Sequence, residues 1–322
     1  MQPTRRHLIG AALAAPALGR TAAAQSAWPE RPVRIIVPYA PGGGTDATTR
    51  TIAELLSQRL GQNFVTENRA GANGVVGSEA VARSAPDGYT LLSTTSTHIM
   101  TRQIVPRLSF HPIHDFTPVA LLARYPLVLM TGPNSEYSTV ADLVRAAKAR
   151  QGQIAQATSD AQSSFTANNF AKRAGVEMVE VPYRGSGAYL ADLTGGHLPA
   201  AWGSTATAMP LLAAGNIKVL AISSPARSTF LPNVPTLRES GIDGADFIGW
   251  IGLFGPAKLP LPIAAKLNAA ITSAFLEPAL KQRLDNLAVD PAPMDLPALE
   301  ALMASDDARW EAAARDHLLP RG

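Results

Sequence analysis

The chain has no cysteine and, after its first 24 residues, no excess of charge of either sign. The absence of cysteine excludes disulfides, thiolate catalysis, cysteine-ligated metals and a lipid-modified cysteine. Three arginines and no acidic residue lie within residues 1–24, which leaves 25 basic and 25 acidic side chains in the remainder. We therefore expect no basic surface for nucleic acid or anionic membranes, and no later segment is long and apolar enough to span a bilayer.

The N-terminus has the features of an export signal. Thr4-Arg5-Arg6-His7-Leu8-Ile9 resembles a twin-arginine motif, and the apolar stretch Leu8–Leu18 is too short to cross a membrane. Ala22-Ala23-Ala24 then offers small residues for cleavage. We expect residues 1–24 to be a signal peptide cleaved near Ala24 and the mature protein to be periplasmic. The twin-arginine and the general secretory routes both remain open.

A strand, a glycine-rich loop and a helix follow one another early in the remaining chain. The β-branched run Val33–Val37 breaks at Pro38 and Pro41 into Gly42-Gly43-Gly44, after which apolar residues recur at helical spacing as far as Leu60. Glycines let the backbone approach a guest closely, and the free N–H groups at the start of a helix favour an anion. The pattern predicts an anion site here, for a carboxylate or a phosphate.

Strand and helix patterns alternate along the chain, which predicts an α/β fold with largely parallel sheets. The predicted strands are Val33–Pro38, Phe64–Glu67, Thr90–Thr94, Val119–Met130, Ile154–Ala157, Glu177–Val181, Ala200–Gly203, Lys218–Ser223 and Ile248–Gly255. The predicted helices are Asp46–Leu60, Gly77–Arg83, Thr139–Gln151, Ser164–Ala174, Gly187–Thr194 and Ala206–Ala214. Ser138 has the features of an N-cap. The segment Ile263–Leu318 is predicted to be entirely helical, with Leu267, Ile271, Ala274 and Phe275 on one face.

Two apolar runs indicate a hinged pair of domains. Val119–Met130 is long for one strand and contains Pro126, and Phe247–Gly255 follows a proline-rich segment. We expect residues 25–126 plus 250–322 to form a first lobe and residues 127–249 a second lobe. The lobes would close about crossovers at 125–130 and 246–252.

Several short motifs stand in a fixed order over essentially the whole mature chain. They are Trp28-Pro29-Glu30-Arg31-Pro32, Pro41-Gly42-Gly43-Gly44-Thr45-Asp46, Glu67-Asn68-Arg69-Ala70-Gly71, Pro86-Asp87-Gly88-Tyr89, Val181-Pro182-Tyr183-Arg184-Gly185-Ser186, Leu231-Pro232-Asn233-Val234-Pro235 and Phe254-Gly255-Pro256-Ala257. Their order and spacing resemble the Bug-type extracytoplasmic solute receptors of tripartite tricarboxylate transporters.

The resemblance implies a fold, a ligand and partners. The fold would be a two-domain periplasmic binding protein (a Venus flytrap) with parallel and mixed sheets flanked by helices and a helical C-terminal segment packing on the first domain. The protein would have no catalytic residues, no cofactor and no metal. A small carboxylate, such as a di- or tricarboxylate or an acidic amino acid, would be held by backbone N–H groups, hydroxyls and waters. Membrane components of the transporter would be its partners, and a monomer is expected.

The resemblance also assigns candidate ligand-binding residues, position by position. In the first lobe they are Pro41, Gly42, Gly43, Gly44, Thr45, Asp46, Thr94 and Thr95. In the second lobe they are Ser159, Ser163, Ser164, Tyr183, Gly185, Ser186, Gly187, Trp202, Ser204 and Thr205.

Two positions depart from the pattern of the family. Where members usually have a glycine-rich loop, this chain has Ser159-Asp160-Ala161-Gln162-Ser163, and Asp160 would repel a carboxylate if it faced the cleft. After Gly195-Gly196 the chain has Trp202, which would either form an aromatic wall that admits an aromatic acid or pack in the core.

Other classes of function fit isolated features. Gly42, Gly44 and Ala47, with Glu67 further on, match the spacing of a dinucleotide-binding motif, so an exported NAD(P)-dependent oxidoreductase is an alternative. A ligand sensor of the same fold that signals to a membrane partner is another. His98 near a cleft loop would contact a ligand or cap a turn. His111-x-x-His114 is better explained as a surface turn than as a metal site, because Pro112 interrupts it.

Overall fold

The computed structural model describes residues 28–183 and 186–320. The predicted signal peptide, residues 1–24, and the candidate residue Gly185 lie outside the described residues. The strands are β1 (Val33–Val37), β2 (Phe64–Asn68), β3 (Thr90–Thr95), β4 (Phe116–Thr131), β5 (Ala155–Thr158), β6 (Val179–Pro182), β7 (Ala200–Ser204), β8 (Lys218–Ile222), β9 (Ile248–Pro256) and β10 (Asp290–Pro291). The helices are α1 (Gly44–Leu60), α2 (Val75–Ala82), α3 (Thr97–Ile104), α4 (Val140–Ala149), α5 (Ala161–Ala174), α6 (Ser186–Thr194), α7 (Thr205–Ala213), α8 (Leu261–Ala274), α9 (Pro278–Asn286) and α10 (Leu296–Arg315).

Strand β4 belongs to two sets of strand pairs. Its first part, from Phe116 to Pro126, pairs antiparallel with β9, and β9 continues through β3 and β1 to β2. From Leu127 onward it pairs antiparallel with β7 and β8, and β7 leads through β5 to β6. Pairs β1–β2, β1–β3, β5–β6 and β5–β7 are parallel, so both sets are mixed. Pro126 pairs with Ile248 and Leu127 with Ser204, so the partner changes between two consecutive residues.

The periodicity predicted most of these elements. All nine predicted strands and all six predicted helices are present, with ends that differ by a few residues. Three elements were not predicted: α3, the 3-10 helix Ala72–Gly74, and the short β10, which pairs with β4 at Ala123 and Arg124. The prediction that Ile263–Leu318 is entirely helical is therefore wrong at β10. The N-cap of α4 is Thr139 rather than Ser138, since the Thr139 hydroxyl accepts the Asp142 N–H in a reciprocal capping box.

The C-terminal helices pack on the first set of strands, as expected. Leu267, Ile271, Ala274 and Phe275 of α8 are all buried, and α8 packs against β4 and α1. Helix α10 packs against α3 and β4, and its Trp310 ring also meets Phe165 of α5 edge-on at 5.0 Å. Helix α10 therefore contacts α5 as well as the first set of strands. None of the helices within the described residues has the length and apolar character needed to cross a membrane.

Candidate functional site

A cavity of about 190 Å³ lies where strand ends and helix starts from both halves of the chain meet. Its walls come from the β1–α1 loop, the β3–α3 junction, the middle of β4, the β5–α5 junction, the start of α6 and the β7–α7 junction. The lining residues are Tyr39, Gly44, Thr45, Thr95, Thr97, Tyr125, Leu127, Ser159, Asp160, Gln162, Ser186, Tyr189, Gly203, Ser204, Ala206, Thr207, Ile251 and Val289.

Five of the described helices begin at the wall of this cavity. The lining residues include the first residues of α1, α3 and α6 and the N-caps of α5 and α7: Gly44, Thr97, Ser186, Asp160 and Ser204. Each helix start carries N–H groups without an intrahelical partner and the positive end of a dipole. On α1 the N-cap Gly43 supplies no side-chain acceptor, so the first N–H groups stay available. The walls therefore favour a negatively charged group.

The glycine loop before α1 is held in place by Asp46. Its Oδ2 accepts hydrogen bonds from the Gly42 N–H at 2.9 Å and from Arg50 Nε at 3.0 Å, and its Oδ1 accepts one from the Asn68 amide at 2.9 Å. Burial raises the pKa of Asp46, but the bonds from Arg50, Gly42 and Asn68 outweigh it and lower the pKa below its ordinary value. Gly42 has φ +85°, a conformation that favours glycine. Asp46 thus positions the loop from behind the cavity wall.

Three tyrosines line the cavity, and the sequence prediction included none of them. The Tyr39 hydroxyl lies 2.9 Å from Thr95 Oγ1, and the Tyr125 hydroxyl donates to Gln162 Oε1 at 2.9 Å. Tyr189 is fully buried, and its hydroxyl has no hydrogen-bond partner among the described residues. Burial raises the pKa of all three phenols, so they stay neutral at ordinary pH. An unpaired buried hydroxyl costs about 1–3 kcal/mol, a cost that a ligand would remove.

Gln162 connects the two sides of the cavity. It belongs to α5, yet its amide donates to Thr97 Oγ1 of α3 at 2.9 Å while accepting from Tyr125. The side chain is buried. A second bridge is the Thr205 hydroxyl of α7, which donates to the Ala288 carbonyl at 2.7 Å. These bonds join α5 to α3 and α7 to the segment before β10, so they link elements on different sides of the cavity.

The structure brings six of the predicted ligand-binding residues to the cavity wall. They are Gly44, Thr45, Thr95, Ser159, Ser186 and Ser204. Gly42 and Gly43 line a neighbouring depression, and Pro41 lies in an exposed turn. Gly187 is exposed and does not line the cavity.

Other predicted residues support the wall from behind. Thr94 is buried and lies 3.2 Å from the Tyr39 hydroxyl, while Ser163 completes the capping box of Asp160 at the start of α5. Ser164 is buried one residue later in the same helix. The Tyr183 hydroxyl donates to Asp192 at 2.6 Å.

Trp202 lies in the core and not at the cavity wall, which corrects the expectation of an aromatic wall. Its side chain is fully buried, its indole N–H donates to Gln156 Oε1 at 3.0 Å, and its ring packs 5.4 Å from Phe170. Successive residues of a strand face opposite sides of the sheet. Gly203, the next residue of β7, lines the cavity instead, where a Cβ atom would clash with the Tyr189 hydroxyl.

The histidines singled out in the sequence lie elsewhere. His98 is buried in α3, where Nε2 donates to the Pro112 carbonyl at 2.9 Å and Nδ1 lies 3.1 Å from the Ser78 hydroxyl. Its environment is a cluster of phenylalanines, not the cavity. His111 accepts the Ile113 N–H at Nδ1 within a turn.

Glu67 is likewise engaged away from the cavity. It accepts a hydrogen bond from Arg69 Nε at 2.7 Å and lies 3.6 Å from Arg34. The acid that would bind a ribose in the dinucleotide reading therefore pairs with neighbouring arginines.

Two α/β halves joined through a shared strand, with a polar cavity between them, define the two-lobed class of periplasmic solute-binding proteins. The sequence model of the tripartite tricarboxylate transporter family receptor matches residues 48–317. The chain belongs to this family and is of the Bug type.

Relatives and solved structures agree with this assignment. BugT of Bordetella pertussis is 33% identical over 293 residues, covering 90% of each chain. The Rhodopseudomonas palustris protein Rpa4515, solved with adipate, is 31% identical with a TM-score of 0.84 and covers 92% of this chain and 100% of its own. MatC of the same organism, solved with bound malate, is 31% identical with a TM-score of 0.80 and covers 89% of this chain and 100% of its own.

Proposed function

We propose that this receptor captures a small organic carboxylate between its lobes. The observation that carries the proposal is the convergence of five helix N-termini on one cavity, which also holds the buried, unpaired hydroxyl of Tyr189. Hydroxyls of Thr45, Thr95 and Ser204 add neutral donors. A carboxylate would satisfy these groups together, since each is a hydrogen-bond donor or a positive partial charge. The malate and adipate of the two R. palustris structures support the same chemistry.

The receptor would bind its ligand without converting it and would present it to the membrane components of a tripartite transporter. We take residues 25–126 plus 250–322 as one lobe and 127–249 as the other, closing about segments 125–130 and 246–252. The change of partner along β4 after Pro126 supports this boundary. The Gln162 bridge would form only on closure, so ligand and bridge would stabilise the same state.

The receptor would reach the periplasm as a precursor that loses residues 1–24. Intact mass of the protein recovered from a periplasmic fraction tests this, because cleavage after Ala24 gives a mature chain that begins at Gln25. A mass that retains residues 1–24 would contradict the assignment.

Ligand capture is tested on the mature protein after unfolding and refolding to remove carried-over ligand. Thermal unfolding is measured against aliphatic di- and tricarboxylates, amino acids, aromatic carboxylates and NAD(P). A ligand at about 100 times its dissociation constant stabilises by about 2.7 kcal/mol, a readily measured shift. Stabilisation by at least one carboxylate is expected. Stabilisation by NAD(P) alone would replace the proposal with a dinucleotide-binding function.

A further inference from the structure

One negative charge faces a cavity whose other described walls are neutral. Of the described residues that line the cavity, only Asp160 is a charged type. It is the N-cap of α5, and the residue is exposed. Anion-favouring helix starts and a carboxylate thus share one small site.

One of the two carboxylate oxygens of Asp160 caps helix α5. Oδ1 accepts the Ser163 N–H at 2.8 Å and lies 3.1 Å from the Ser163 hydroxyl. Within residues 28–183 and 186–320, Oδ2 accepts no hydrogen bond, and no cationic side chain lies within 4 Å of the carboxylate. One oxygen therefore remains to accept a hydrogen bond from a ligand.

The charge of Asp160 affects three tyrosines of the cavity wall. Burial raises the pKa of Tyr39, Tyr125 and Tyr189, and the negative charge of Asp160 raises it further for each of the three. The hydroxyl of Tyr189 is both buried and unpaired. These phenols lie on different walls, so a ligand between them would be exposed to the same field.

The negative charge of Asp160 would have opposite effects on the binding of a dicarboxylate and of a zwitterion. A second carboxylate near Asp160 would place two like charges together in a site partly withdrawn from water, which disfavours binding. An ammonium group at the same point would donate a charge-assisted hydrogen bond to Oδ2. The starts of α1 and α7 at Gly44 and Ser204 would still hold the carboxylate of the ligand.

We propose that the ligand is a zwitterion, with its carboxylate at the starts of α1 and α7 and its ammonium group against Asp160. This inference rests on the proposed capture of a carboxylate and narrows it to an amino acid. Asp160 is then the residue that selects against di- and tricarboxylates.

The test compares pairs of ligands that differ only in the amino group. Isothermal titration of the refolded mature protein uses L-alanine with propionate, L-aspartate with succinate, and L-phenylalanine with 3-phenylpropionate. At least one amino acid is expected to bind about tenfold or more tightly than its deaminated partner, because that partner lacks the ion that pairs with Asp160.

Asp160→Asn removes the charge and keeps the cap, since Asn and Asp are comparable at an N-cap. In this variant the dissociation constants of the two members of the preferred pair should lie within about threefold of each other, mainly because the amino acid binds more weakly. The matched control is Asp295→Asn, because Asp295 is also an exposed N-cap, accepts the Ala298 N–H at 2.8 Å and does not line the cavity. The control should leave the preference unchanged.

The outcomes separate this inference from the function on which it rests. If no carboxylate of either type binds, the proposed capture fails. If deaminated members bind as tightly as amino members or more tightly, capture stands and the role of Asp160 is wrong. A preference for dicarboxylates that disappears in Arg184→Gln would mean that the arginine, and not Asp160, determines which ligands are preferred. That result would also overturn the inference. An unchanged preference for the amino acid in Asp160→Asn would also overturn the inference.

Discussion

Acid should destabilise this protein through one buried histidine outside the cleft. His98 is about 1% exposed in α3, and its ring packs against Phe110, Phe116 and Phe254. Because a carbonyl can only accept, the bond to Pro112 places the proton on Nε2 and leaves Nδ1 to accept from Ser78. Burial lowers the pKa of His98 from 6.5 to about 4, despite the opposing effect of the bond to Pro112.

The direction and size of the effect follow from that shift. In the unfolded chain His98 binds a proton as the pH falls through 6.5, whereas in the folded protein it does so only near pH 4. The contribution of His98 to stability is therefore full above pH 6.5, declines between pH 6.5 and 4, and is lost below pH 4. The whole shift corresponds to about 3 kcal/mol, of which about 2 kcal/mol is lost by pH 5.

Urea unfolding of the ligand-free protein at pH 7.5 and pH 5.0 measures this loss. His98→Gln keeps an N–H for the Pro112 carbonyl and removes the titration. It should start less stable, because the ring packing is lost, and should lose about 2 kcal/mol less than the wild type between the two pH values. His197→Gln, which removes an exposed histidine, is the control and should follow the wild type. Equal losses in the wild type and His98→Gln would refute the reasoning.

Three further predictions concern the cleft. Gly44→Val should weaken ligand binding about tenfold or more with little change in melting temperature, because a Cβ at 44 already lies 3.9 Å from Ala206, another residue of the cavity wall. Gly43→Val is the control, since Gly43 lies off the cavity wall, and it should bind the ligand normally. Equal losses of affinity in the two variants by titration calorimetry would contradict this prediction. Gln162→Leu should weaken binding about tenfold or more, since closure would bury the hydroxyls of Thr97 and Tyr125 without the partner that Gln162 provides. Unchanged affinity would show that the Gln162 bridge does not stabilise the closed state. Trp202→Phe should lower the free energy of unfolding by about 1–3 kcal/mol and preserve the ranking of ligands; a changed ranking would place Trp202 at the cleft after all.

The sequence predicts the scaffold well because apolar periodicity directly reflects burial. Helix α3 was missed because its residues Thr97, His98 and Thr101 are buried although polar, so the apolar pattern that marks the other helices is absent. Strand β10 has two residues, too few to show any period. Both failures occur where tertiary contacts, not local pattern, determine the conformation.

The candidate site was only partly predictable, for a geometric reason. Glycines and serines at helix starts are recognisable locally, and Gly44, Thr45 and Ser204 do reach the cavity. Tyr189 is three residues after Ser186 on the same helical face, a spacing that could have indicated it. The sequence left Trp202 open between the cleft and the core, since the direction in which a strand residue faces depends on register and not on residue type.

Because β9 lies between β3 and β4, the first set of strands cannot complete its hydrogen-bond ladder during synthesis until much later residues emerge. Strand β3, ending at Thr95, gains its antiparallel partner only when residues 248–256 have left the ribosome. Until then the early strands present an open edge, and such edges invite pairing with other chains. Contacts so distant in sequence also slow folding. A nascent chain that ends before Ile248 therefore leaves this edge of β3 without its partner strand.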